Sequence, residues 1–179
     1  MDGRKIKNLE YRYLPEFVYG ATDGAVTTFA VVAGVIGASL SSAIVLILGF
    51  ANLFADGFSM AASDYLSAKS RNDLRKRIKF AIIKPFKSAF VTFLAFLTIG
   101  FIPLFSFVIA AITKNPHLIE NQFLYSSVLT FVSLGIVGWF RGKVSEKSEA
   151  KTMFQTILIG GIAAILAFAV GYFIRSLVG

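Results

Sequence analysis

The chain contains no cysteine, a single histidine and a single tryptophan in 179 residues. Without cysteine there are no disulfides, no thiolate metal sites and no thiol nucleophile. With His117 as the only imidazole, any metal site must rest on oxygen ligands, with methionine sulfur as the one soft donor. Acids are also scarce: 10 Asp and Glu stand against 18 Lys and Arg, a formal net charge of +8. No hydrolytic triad, phosphate loop or dinucleotide fingerprint is present, and no paired carboxylates mark an aqueous cleft, so no enzyme is expected. The positive charge lacks the interleaved aromatic–basic motifs of nucleic-acid binding, and none is expected. The first fifteen residues are polar and charged, which does not read as a cleavable signal peptide.

What is abundant is apolar. Hydrophobic residues make up 56% of the chain, 19 of them Phe, where a soluble domain has about 45–50%. Mean hydropathy is +0.72. The excess lies in uncharged runs long enough to cross a bilayer, which takes about 20 residues. Five helices are expected, over residues 16–40, 43–66, 88–113, 122–140 and 152–174, with a very short turn at Ser41 and Ser42. The expected fold is all-α: a polytopic membrane protein of five transmembrane helices. Residues 1–15 form an N-terminal cytoplasmic segment and 16–176 one transport domain, with a basic cytoplasmic loop at 69–87. Pro103 predicts a kink in the third span, tolerated because neighbouring helices re-satisfy freed backbone groups. Gly20, Gly24, Ala30, Gly34 and Gly37 give the first helix a small-residue face, which lets backbones approach closely in lipid. Gly160 and Gly161 are candidates for the same role in the fifth.

Orientation follows from Lys and Arg. The N-terminal segment holds four (Arg4, Lys5, Lys7, Arg12), loop 69–87 holds eight, and the loop after the fourth span holds four (Arg141, Lys143, Lys147, Lys151). Only Lys114 and Arg175 fall on the other side. The positive-inside rule then places the N-terminus in the cytoplasm and the C-terminus outside. The basic loop is expected to meet anionic lipid head groups, worth about 1 kcal/mol per basic residue near the surface.

Against this background the acids at membrane depth stand out. Asp23, Asp56 and Asp64 lie inside or at the edge of the first two apolar runs. A charged side chain there is costly and marks a functional site by default. Asn52, Asp56, Met60 and Asp64 recur every fourth residue, so each follows the last by only about 40° around the helix and the four form one stripe. With the turn centred near 41–42, residues whose numbers sum to about 83 should lie level, which pairs Asp23 with Met60, Thr27 with Asp56 and Tyr19 with Asp64. A ladder of oxygens and one thioether suits a divalent cation, and Met60 favours a softer ion such as Fe²⁺ over Mg²⁺ or Ca²⁺. Metal and proton would compete for the same carboxylates, the physical basis of antiport. Plainer roles stand beside these: an interfacial charge for Asp64, core filling for Met60, an interhelical hydrogen bond for Asn52, a bond back to a helix carbonyl for Thr27, and packing for Gly24 and Pro103. His117 and Glu120, one helical turn apart in the external loop, form a weak further metal candidate.

These residues resemble the vacuolar iron transporter family. The likeness rests on YGATDGAVTTFAVVAGV in the first helix and FANLFADGFSMAASDYLSAKS in the second, with GFIPLFSF and ILIGGIAAILAFAVGYFI fitting less specifically. It implies five membrane helices, a homodimer, and proton-coupled export of Fe²⁺ or Mn²⁺ from the cytosol along helices one and two. No cofactor is bound permanently; the metal and the proton are cargo. Asp23 matches the family's acid in the Asp-Gly pair, and Met60 its methionine in the Ser-Met pair. The chain departs from the family in having Asn52 where some members carry an acid, and Asp64 where many have Glu or Asn. Loop 69–87, with Asp73 its only acid, replaces the Glu-rich cytoplasmic metal-binding domain, so this is a short form. The short loop favours a prokaryotic plasma membrane. The competing function is a structural or adaptor protein whose intramembrane acids only bridge helices.

Overall fold

A computed structural model describes residues 3–76 and 84–178, with side chains over 13–74 and 84–178. The side chains of Arg4, Lys5, Lys7, Arg12, Arg75, Lys76, Arg77 and Lys79, counted above, lie outside the described residues. Six helices follow in order: α1 (Gly3–Gly37), α2 (Ser42–Lys76), α3 (Pro85–Gly100), α4 (Ile102–Thr113), α5 (Pro116–Val144) and α6 (Glu149–Val178). The described residues are all-α.

Four helices are long and apolar enough to span a membrane, and the number is five if α3 and α4, bent by 48° at their break, count as one span. The bend has a local cause. Pro103, at the second position of α4, has no N–H to give and its ring crowds the preceding turn. The break is held from α5, where the buried Ser126 hydroxyl donates to the Pro103 carbonyl at 2.6 Å. Gln122 donates onward to Ser42 at 2.6 Å, tying α5 to the start of α2. The predicted kink is therefore a break between two helices. The other expected spans were drawn too short: α1 starts at Gly3, inside the segment assigned to 1–15, and α2 runs on to Lys76, taking up the first half of loop 69–87.

The α1–α2 turn sets the register of the site. Ser39 takes the left-handed conformation at φ 55. Leu40 N donates to the Val35 carbonyl at 3.0 Å and Ser39 N to that of Ile36 at 2.9 Å, the crossed pair that closes a Schellman cap. The turn is thus centred between Ser39 and Leu40, two residues before the expected place.

α1 is the central helix and touches all five others. Its small residues split into two faces. A methyl on Gly20 or Gly24 would run into the backbone carbonyls of Thr92 or Phe96 on α3, and one on Gly37 into that of Phe168 on α6. Such contacts hold helices together in lipid, where burial of apolar surface alone gives little drive. Phe29, Val32, Val45, Leu53, Phe96, Leu104 and Phe107 fill the core between α1, α2, α3 and α4.

Candidate functional site

With α1 ending at Gly37 and α2 starting at Ser42, residues whose numbers sum to about 79 lie level. Side-chain contacts follow that rule. Asn52 Nδ2 donates to Thr27 Oγ1 and Thr28 Oγ1, both at 3.4 Å. Thr27 spends its own hydrogen on the Asp23 backbone carbonyl at 2.8 Å, which leaves its oxygen to accept from Asn52. One turn nearer the basic end, the same rule sets Asp23 and Asp56 level. The level partner of Asp23 is therefore Asp56, not Met60 as the sequence spacing implied. Met60 is half-buried and packs against the phenylalanine core, a turn below.

Asp64 does not continue the ladder. Its Oδ2 accepts from Ser88 at 2.7 Å and Thr92 at 3.1 Å, both on α3. Its Oδ1 lies 3.7 Å from Arg71 Nη2. Beside it stands Glu16, only 7% exposed, with Oε1 3.0 Å from Ser88 Oγ. A cavity of about 370 Å³ opens against these groups, lined by Pro15, Glu16, Tyr19, Ser63, Asp64, Ser67 and Arg71. The seam between α1 and α2 thus carries two acidic tiers, Asp23 with Asp56 and Glu16 with Asp64, about 10 Å apart along the helices.

Sequence reasoning missed Glu16, Ser88 and Thr92. Glu16 carried a usable signal: it precedes Asp23 by seven residues, which places both on one face of α1. The two α3 hydroxyls carried none, being ordinary in membrane helices. Gly24 seats α1 on α3 directly beside Asp23, and Pro103 lies in the core away from the seam. His117 is exposed at the opposite end, its Nδ1 3.5 Å from the Tyr125 hydroxyl.

Asp56 points away from the protein's own core and is exposed, as are Phe54, at 61%, and Phe58, at 71%, on the same helix. Among the described residues no three His, Cys, Asp or Glu side chains converge to hold a metal within one chain.

Fold and seam define a multi-pass α-helical membrane protein with acids between two antiparallel spans. The VIT family model matches residues 14–79 and 76–172, and the chain belongs to that family. It is 30% identical to vacuolar iron transporter homolog 1 of Arabidopsis thaliana over 179 positions, which cover 94% of this chain and 84% of the relative. It is 27% identical to the vacuolar iron transporter of Toxoplasma gondii over 235 positions, 96% of this chain and 78% of the relative. Identity to that of Plasmodium berghei is 24% over 231 positions, 94% of this chain and 85% of the relative. The last two alignments are longer than the chain itself, so those relatives carry residues that this short member lacks. These relatives are eukaryotic and named for the vacuole, and they lend no support to a prokaryotic plasma membrane.

Proposed function

We propose that the chain is a proton-coupled transporter that carries a divalent cation, Fe²⁺ or Mn²⁺, out of the cytosol, and that it works as a homodimer. The observation that carries this reading is the level pair Asp23 and Asp56 inside two apolar spans. Bare carboxylates at that depth are too costly to persist without a cation or proton to hold. Asp56 sits on a face that its own chain leaves open, amid Phe54 and Phe58. A second copy related by a two-fold axis would cover that face and bring two further carboxylates to the first pair. The resulting oxygen-rich site offsets a +2 charge, and Met60, a turn below, offers a softer donor that favours Fe²⁺ over Mg²⁺ or Ca²⁺. The relatives' names make iron the first cation to try. When the cation leaves, the same oxygens are open to protons, so the two compete. The basic end faces the cytosol, with Lys69, Arg71, Lys84 and Lys87 exposed to anionic head groups.

Reconstituted vesicles carrying metal- and pH-sensitive dyes test this. Wild type is expected to move Fe²⁺ or Mn²⁺ against a counterflow of protons. Asp23→Asn and Asp56→Asn should each slow metal flux about 100-fold, the loss expected for one charge-assisted contact worth ~3 kcal/mol. Wild-type vesicles without flux, with variants that merely melt earlier, would instead establish acids that only bridge helices.

A further inference from the structure

Two carboxyl groups and one hydroxyl meet where α1, α2 and α3 converge at the basic end. Ser88 Oγ lies 2.7 Å from Asp64 Oδ2 and 3.0 Å from Glu16 Oε1, and Ser88 is fully buried. A serine hydroxyl has one hydrogen to donate. It can serve one of these contacts; the other is a hydrogen bond only where the carboxyl group supplies the hydrogen. Asp64 has the surroundings of a carboxylate, with a second hydroxyl from Thr92 and the Arg71 guanidinium near its other oxygen. Glu16 has neither. Its Oε2 is buried without a hydrogen-bond partner among the described residues. An ionised carboxylate with a stranded oxygen is far costlier to bury than a neutral acid. Among the described residues the titratable and charged groups around it are Tyr19 on its own helix and Asp64 and Arg71 on α2, all lining the same cavity; α3 adds the hydroxyls of Ser88 and Thr92, and the side chain of Arg12, one turn before Glu16, lies outside the described residues.

We propose that Glu16, Ser88 and Asp64 form a proton relay that carries the counter-proton between the Asp23–Asp56 tier and the water at the basic end. The relay rests on the proton-coupled reading above. In one passage the Glu16 O–H bond breaks as its proton joins Ser88 Oγ. The serine's own O–H breaks as its hydrogen joins Asp64 Oδ2. One proton has moved, Glu16 is left as the carboxylate, Asp64 has become the acid and Ser88 is unchanged. Asp64 then gives the proton to water in the cavity beside Arg71; about 370 Å³ holds several waters. Glu16 shares a face of α1 with Asp23 about 10 Å away, and water in the cavity beside Tyr19 would carry a proton across that gap from Asp23 to re-form the Glu16 acid. Ser88 and Thr92 make α3 part of the proton route while the cation is held between α1 and α2.

Glu16→Gln and Ser88→Ala test the relay in the full-length protein in vesicles. Both should bind Mn²⁺ as wild type does, because Asp23 and Asp56 are untouched. Both should slow metal-coupled proton movement by about tenfold or more, a modest loss for a removed proton-transfer group. Infrared spectroscopy of the purified protein with Mn²⁺ bound gives a second readout that needs no transport: the component of the protonated-carboxyl carbonyl band that belongs to Glu16 should be lost in Glu16→Gln. A band unchanged in that variant, or a wild-type proton-to-metal ratio and rate in both variants, would overturn the relay while leaving proton-coupled transport intact. Wild type that carries metal with no proton movement would overturn the coupled reading itself, and the relay with it.

Discussion

α1 and α2 are both 35-residue helices that carry acids in apolar surroundings, yet they are built differently. The apolar window of α1 is 56% buried, and that of α2 only 22%. α1 meets its neighbours backbone to backbone through glycines, on α3 at one end and α6 at the other. α2 packs on α1, α3 and α4 through side chains and leaves one long face open. The difference separates two tasks. α1 is a fixed post that holds Asp23 at a set depth; α2 brings Asp56 to the same depth on a face that its own chain leaves open, the face that the proposed second copy would cover.

Substitutions that press on that contrast should differ in size. The largest effect is expected at Gly24. A methyl there meets the backbone of Phe96, which cannot step aside, so Gly24→Ala should cost about 3 kcal/mol in thermal unfolding in detergent. On α2, Gly57→Ala meets only the rings of Phe93 and Phe96 at 3.2–3.4 Å, which can shift, and should cost less than about 1 kcal/mol. Equal losses at the two positions would erase the distinction between post and wall. Next in size is the open face. Phe54→Arg with Phe58→Arg should break the proposed dimer into monomers by light scattering while helicity is kept, since both rings are exposed in one chain. A dimer that survives both charges would move the second copy to another face. Smaller again is Ser126→Ala, which removes the buried hydrogen bond from α5 to the Pro103 carbonyl beside the α3–α4 break and should cost about 1 kcal/mol. Smallest is Arg71→Ala. The guanidinium is 43% exposed and 3.7 Å from Asp64, so stability should change by no more than about 0.5 kcal/mol.

The all-α membrane fold was legible because apolar run length is a property of the sequence alone, and Asp23, Asp56 and Asp64 stood out as charges within those runs, while Glu16, at the edge of the first run, did not. Register was not. The pair Ser41–Ser42 looked like the turn, but the left-handed residue is Ser39, and that shift of two positions moved every level pair by one helical turn. Asp23 consequently faces Asp56, and Asp64 faces Glu16. The small residues of α1 were legible as a packing face, but that they serve two neighbours depends on how α3 and α6 cross α1. The outward turn of α2 was also hidden, because a helix apolar on all sides shows no preferred face. Arg175, counted only as an external charge, bonds Ser39 and ties the end of α6 to the α1–α2 turn.

An anomalous-difference map from crystals of the dimer soaked in Mn²⁺ tests the central claim most directly. The expected result is a peak at the level of Asp23 and Asp56, bordered by the same two residues of the second copy, with no ion between Glu16 and Asp64. A peak at the Glu16–Asp64 tier, or an empty seam with the ion bound elsewhere, would contradict it.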